Sequence, residues 1–192
     1  TANNITDSHE YKLKPKLDFF FDDHWFLRSS VDIDYNMIDA GYLEIDYASG
    51  PGYRFWNDRQ RRLEIISQLG LERAYFRPEV WSNSDLFDDR IINYPFVSLG
   101  WDYRQPWTLW EEKFELFGKG SYEKFVDQPS PYLTRKQSVS GSLGLRYYFN
   151  DHLRLSWSSE LDWDDAWLDY HGLHRDVSEK EWRHLITLGA SF

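Results

Sequence analysis

The chain has 192 residues, a length for one domain spanning 1–192, and a formal net charge of −10 that argues against nucleic acid as a partner. It contains no cysteine, which excludes disulfides and thiolate metal sites. Its mean hydropathy of −0.69 reads as water-soluble and no run of 18 apolar residues offers a helical membrane span, yet 19% of the residues are aromatic.

Period-2 alternation predicts nine strands. The first spans Glu10 to Phe21, with Tyr11, Leu13, Leu17, Phe19 and Phe21 on one face and Lys12, Lys14, Lys16 and Asp18 on the other. Pro15 inside it predicts a bulge or an imperfectly paired strand. The second runs Trp25 to Tyr35, setting Trp25, Leu27, Val31, Ile33 and Tyr35 against Arg28, Asp32 and Asp34. The third, Gly41 to Phe55, sets Leu43, Ile45, Tyr47, Tyr53 and Phe55 against Glu44, Asp46 and Arg54. The fourth, Arg61 to Tyr75, sets Leu63, Ile65, Leu69 and Leu71 against Arg62, Glu64, Gln68 and Glu72.

The fifth strand covers Asn93 to Tyr103 with Val97, Leu99, Trp101 and Tyr103 outward. The sixth covers Trp107 to Phe125, with Trp110, Phe114, Leu116 and Tyr122 outward and Lys113, Glu115 and Lys119 inward. Glu112 shares the outward parity, which places it near an interface or behind a phase-shifting bulge. The seventh covers Lys136 to Phe149, with Val139, Leu143, Leu145, Tyr147 and Phe149 outward. The eighth, Leu153 to Trp163, sets Leu153, Leu155, Trp157, Leu161 and Trp163 against Arg154, Ser156, Ser158, Glu160 and Asp162. The ninth ends the chain: Trp182, His184, Ile186, Leu188, Ala190 and Phe192 share one face, and Arg183, Leu185, Thr187, Gly189 and Ser191 the other.

An antiparallel up-and-down transmembrane β-barrel reconciles this pattern with the composition. Alternate residues face lipid, the lumen and loops are polar, and aromatic girdles mark both interfaces. A soluble β-sandwich would use shorter strands. Connection lengths give an independent reading. Walking back from Phe192, Asp164–Ser178 is long, Asn150–His152 short, Val126–Arg135 long and Arg104–Pro106 short. Phe76–Ile92 is long, Asn57–Gln60 short, Asn36–Ala40 intermediate and Asp22–His24 short. Outer-membrane barrels alternate short periplasmic turns with longer outer loops in this way. Nine is an odd number where bacterial barrels are even, so at least one strand is expected ahead of Thr1, in a parent of ten or twelve strands. An exported protein is expected here in processed or trimmed form.

A terminal strand ending on Phe192 resembles the assembly signal of bacterial outer-membrane barrels. The stretches FFFDDHWFLRSSVDIDYN (19–36), GPGYRFWNDRQRRLEIISQLGLER (50–73), LGLRYYF and LITLGASF resemble an uncharacterised family of salt-induced outer-membrane proteins. The resemblance implies an aromatic-rich turn, a glycine–tyrosine strand, a turn, a long alternating strand, and further strands ahead of this region. It implies no activity and no residue roles.

The inward charges are the main polar feature: Lys12, Lys14, Lys16, Asp32, Asp34, Glu44, Asp46, Arg54, Glu64, Glu72, Lys113, Glu115, Arg154 and Glu160. Opposite charges on neighbouring strands can pair across a ladder, filling the lumen with ion pairs or leaving a narrow path for small ions. Trp25, Trp56, Trp107, Trp110, Tyr147 and Phe149 cluster near the short turns and, with Phe192, read as interface anchors. The loop Trp163–Asp176 carries Asp164, Asp165, Asp169, His171, His174 and Asp176 as oxygen and imidazole donors, in a spacing that matches no metal motif. Asp85, Asp88 and Asp89 form a weaker acidic loop. His184 and Ser159 share an outward parity on adjacent strands, as a surface hydrolase would need, but no flanking motif supports a triad. His24 and His152 sit in turns with no site around them.

The expectation is a porin-like barrel in the outer membrane of a Gram-negative envelope, structural or narrow-pored, non-enzymatic and without cofactor or metal. Its partners would be outer-membrane lipid, the barrel-assembly machinery through the C-terminal strand, and an envelope protein. Two other readings compete: a membrane anchor docking a larger assembly through its long loops, and a soluble lipocalin-like barrel with the apolar parity turned inward around an apolar ligand.

Overall fold

The computed structural model describes residues 10–36, 41–57, 61–76, 91–128, 133–150, 152–170 and 173–190. Its elements are all strands: β1 (Glu10–Leu13), β2 (Lys16–Phe20), β3 (Trp25–Asn36), β4 (Gly41–Asn57), β5 (Arg62–Phe76) and β6 (Ile91–Leu109), then β7 (Glu112–Phe125), β8 (Leu133–Tyr148), β9 (Leu153–Tyr170), β10 (Leu173–Asp176) and β11 (Glu179–Ala190). Every pairing is antiparallel, and together they make one up-and-down sheet. The protein is all-β, as the alternation predicts.

The eleven segments fill nine positions. β1 and β2 run in one register against β3, with Leu13 opposite Ile33 and Lys16 opposite Ser30. Lys14 and Pro15 divide them: Pro15 has no N–H to give, while its carbonyl still accepts from the Val31 N–H at 3.0 Å. No residue is inserted, so the strand is imperfectly paired rather than bulged. β10 and β11 likewise share one register against β9, bridged by the Val177 N–H donating to Ala166 O at 3.0 Å.

Two sequence boundaries move. β6 continues through Arg104–Pro106 to Leu109, and the tight turn falls at Trp110–Glu111. Pro106 is accommodated within the strand, opposite Glu115. Trp110 therefore sits at the turn tip, 87% exposed, rather than on an outward strand face. Glu112 opens β7, where the Tyr147 hydroxyl donates to it at 2.7 Å. The expected long loop from Asp164 to Ser178 is mostly an extension of β9 that folds back as β10.

Both turn residues have positive φ, 49° at Trp110 and 70° at Glu111. That is the geometry a two-residue hairpin turn demands, and glycine or asparagine fills it at less cost than these side chains. Glu111→Gly is expected to raise folding stability by about 1 kcal/mol, read as an increased unfolding midpoint. An unchanged or lower midpoint would show that the turn carries no strain. Two of the other short turns are held by side-chain caps. Asp22 Oδ1 accepts from the N–H groups of His24 and Trp25 at 2.7 and 2.6 Å, and Asn150 Oδ1 accepts from His152 and Leu153 at 2.8 Å each. The Trp25 and His24 donors hold the Asp22 carboxyl below its ordinary 3.8. Its stabilisation is therefore present above that pH and is lost as the pH falls through the lowered value.

The sheet is strongly curled. Side chains on one face reach partners two or three strands away, such as Arg28 to Glu64 and Arg135 to Glu72, which a flat sheet would hold apart. No ladder joins β1 or β2 to β11 among the described residues, so the curl is an open part-barrel. Aromatic rings fill part of the concave side. Phe26 lies flat on Gly52 and Phe96 on Gly70, and a Cβ at either glycine would meet the ring at 2.3 or 2.2 Å. Glycine is required at both positions by that close approach. Ile92, Tyr94, Phe96 and Phe125 complete a small interior cluster.

Candidate functional site: a charged concave face

Among the described residues, three β-bulges decide which side chains enter the concave face. The register slips between Gly41 and Leu43, between Arg54 and Trp56, and between Arg135 and Gln137. The second keeps Arg54 opposite Glu64 on the concave side and returns Trp56 to the convex side beside Leu63. The third inserts Lys136, so Arg135 lies opposite concave Ala166 while Gln137 lies opposite convex Asp165. The Gln128 side chain fastens the bulge: its Oε1 accepts from the Arg135 N–H at 2.8 Å, and its amide donates to the Arg135 carbonyl.

Among the described residues, three ion-pair groups centre on buried carboxylates of the concave face. Glu64 is wholly buried and central to the first. It receives Arg54 Nε at 2.6 Å, Arg62 at 2.7 Å and Arg28 at 3.5 Å, and Arg28 also makes a two-point pair with Asp18 at 2.6 Å. The guanidinium of Arg54 covers the Phe20 ring at 4.6 Å and that of Arg28 covers Phe26 at 5.1 Å. In the second group Arg146 pairs with Glu115, and the Tyr148 hydroxyl donates to Glu115 at 3.3 Å. In the third Arg135 pairs with Glu72 and covers Phe125 at 4.7 Å and Tyr94 at 5.8 Å.

The remaining sequence-singled charges fall as follows. Lys12 pairs with Asp34 at 3.0 Å, and Lys14 with Asp32. Lys16 lies opposite Ser30, Lys113 opposite Tyr148, and Arg154 between Tyr148 and Gly189. Glu160 lies 3.9 Å from Arg183. Glu44 and Asp46 do not meet opposite charges across their ladder: they face Asp34 and Asp32, and Asp46 also faces Glu72. Arg28, Arg62 and Arg135 are central to the geometry although the sequence did not single them out. Arg28 and Arg62 stood on the polar parity, but the Lys136 bulge that turns Arg135 inward has no local signature.

The balance of these charges shifts along the strands, although Asp18, Glu64 and Glu115 stand among the arginines and Arg135 among the carboxylates. Arg28, Arg54, Arg62, Arg104, Arg146 and Arg154 lie toward the short-turn end, whereas Glu44, Asp46, Glu72, Glu123 and Asp164 lie toward the opposite, loop end. Between them Lys14, Lys119, Ser121, Ser140, Ser142, Glu160 and Asp162 border a polar hollow of about 400 Å³.

The convex face is largely apolar. Leu17, Leu69, Ile186 and Leu188 are 67–77% exposed. Near the short turns its aromatics form contacting groups: Trp25 against Tyr53 at 4.9 Å, Trp56 against Tyr103, Trp107 against Phe114, and Tyr147 against Phe149 at 4.7 Å. Phe192, His171 and the Asp85–Asp89 loop lie outside the described residues. His184 stands opposite Ser159 with its ring stacked on Trp157 and no hydrogen bond joining the pair among the described contacts. The candidate metal donors separate. Asp169 pairs with His174, Asp165 accepts from Trp167 Nε1 at 3.1 Å, and Asp176 accepts from the Ser178 N–H at 2.9 Å.

The model of a protein family of unknown function, DUF481, matches residues 1–172. The chain belongs to the DUF481 family. That match spans β1 to β9, and so all three ion-pair groups of the concave face. It bears out an uncharacterised family and brings no activity to this DUF481 chain. No curated protein matches the chain.

Proposed function

We propose that this chain is an outer-membrane β-barrel of a Gram-negative envelope, non-enzymatic, with lipid against its convex face and a narrow charged path for small ions along its concave face. One observation carries the reading: the polarity of the sheet is inverted. Its buried residues include Arg28, Glu64, Glu72 and Glu115, while Leu17, Leu69, Ile186 and Leu188 stand exposed. In water such a convex face would be a large apolar patch. In a bilayer it is the face a barrel needs, with Trp25, Trp56 and Trp107 at the interface depth. A lipocalin-like barrel would place these two sets the other way round.

On this reading a ten- or twelve-stranded barrel completes the sheet. The apolar face of β11, with Trp182, Ile186 and Leu188, is what the barrel-assembly machinery would meet. Planar-bilayer recording on the protein refolded in detergent, with folding checked by heat-modifiable gel mobility, tests the path. Discrete, salt-dependent current steps are expected. A folded barrel without conductance would leave a plugged scaffold, and failure to insert would overturn the membrane reading itself.

A further inference from the structure

We propose that the ion path runs off-centre, along a trough between β7 and β9, and that Lys119 and Glu160 on its two banks set which ions pass; this rests on the pore reading above. The first observation is how unevenly the concave face is filled. Successive ladders give the row Phe26, Gly52, Ile66, Gly100, Ser121 and Ser140 from β3 to β8. At one end of that row Phe26 and Ile66 are buried, and the Phe26 ring closes over Gly52. At the other end Ser121 and Ser140 carry only a hydroxymethyl group, and the hollow of about 400 Å³ lies over them. The Phe26 and Phe96 rings and the Glu64 cluster thus cover β4 and β5, and the room for a solute is on the β7–β9 side. Along the strands the trough is bounded by Arg146 with Glu115 toward the short turns and by Arg135 with Phe125 toward the loops, which limits it to small species.

The second observation is the charge on the two banks. The neighbouring row reads Asp102, Lys119, Ser142, Glu160 and Arg183 from β6 to β11. Opposite charges alternate along it except at Ser142, which holds the backbones of Lys119 and Glu160 two strand spacings apart, roughly 10 Å. No ion pair joins these two across the gap among the described residues. The other charges that border the hollow have close partners: Lys14 pairs with Asp32, and Asp162 with Arg183 at 3.0 Å. Lys119 is exposed and makes no ion pair among the described residues, and Glu160 stands 3.9 Å from Arg183. A cation and a carboxylate kept apart across a trough set a field across it, so a passing anion is drawn to Lys119 and a passing cation to Glu160.

The chain has no cysteine, so Ser142→Cys supplies a single thiol in the trough. The variant is refolded in detergent, inserted into planar bilayers and treated with a small neutral methanethiosulfonate, with the adduct checked by mass. The current is expected to fall several-fold, and that of the cysteine-free parent to stay as it was. A conducting variant whose thiol resists the reagent, or whose current is unchanged once modified, would overturn the off-centre path while leaving the pore reading intact. A parent that passes no current would overturn the pore reading and this path with it. Ser140→Cys, on the next row of the same trough, carries the same expectations if the first variant does not fold. Under a potassium chloride gradient, Lys119→Gln is expected to move the reversal potential toward that of the cation and Glu160→Gln toward that of the anion. Shifts in one common direction, or none, would overturn the role of the two banks.

Discussion

Replacing Glu64 with alanine is expected to cost about 3–5 kcal/mol of folding stability, because it leaves a cluster of buried cations without their anion. Arg28, Arg54 and Arg62 all converge on this one carboxylate, which is wholly buried. Arg28 keeps its pair with Asp18 and Arg62 its pair with Asp102 at 3.4 Å, but Arg54 loses its 2.6 Å contact with Glu64. Their positive charges would then repel one another in a place where water cannot enter freely. Urea unfolding of the protein refolded into vesicles, followed by tryptophan fluorescence, measures the loss. Glu64→Gln keeps two hydrogen-bond acceptor positions and is expected to lose less. An alanine variant within about 0.5 kcal/mol of the parent, the range of ordinary surface changes, would mean that the cluster is solvated rather than buried.

Leu69→Arg separates membrane from water more sharply than any interior change. Leu69 is 71% exposed on the convex face, midway along β5, between Ser49 and Val97 on the neighbouring strands. In aqueous solution an arginine there would be an ordinary surface substitution, within about 0.5 kcal/mol. At the depth of a bilayer midplane it costs about 2–4 kcal/mol. The same vesicle measurement decides between them. A loss at the upper value supports lipid against the convex face, and a loss below 0.5 kcal/mol would remove the ground for the membrane proposal.

The strands were legible because their alternation is long and regular. Leu63, Ile65, Leu69 and Leu71 against Arg62, Glu64, Gln68 and Glu72 admits one pleat and no helix. What alternation cannot convey is any break in its own phase. The bulge at Tyr42 follows Gly41, but those at Phe55 and Lys136 each insert a residue with no glycine beside it, and the last of them decides where Arg135 points. The turn at Trp110–Glu111 was hidden for a related reason. Arg104-Gln105-Pro106 carries a proline and reads as a turn, whereas Trp-Glu is unusual for a positive-φ hairpin. The charged face was legible as a set of inward residues but not as partners. That Glu64 meets Arg28, and Glu72 meets Arg135, depends on how far the sheet curls, and curvature is a property of the whole sheet.

That distinction between ladders and cross-face pairs has a kinetic meaning. Among the described residues, each of the nine strand positions hydrogen-bonds only to the positions next to it along the chain, so the backbone network can zip up hairpin by hairpin with little loop entropy at each step. Arg28 to Glu64 and Arg135 to Glu72 skip strands and cannot form until the ribbon has rolled. The low-contact-order part of folding is therefore written in the main chain, and the high-contact-order part in a few guanidinium–carboxylate latches. Weakening the latches would be felt chiefly in the rolling step and in the height of its barrier, while the hairpins themselves would go on forming at their own pace.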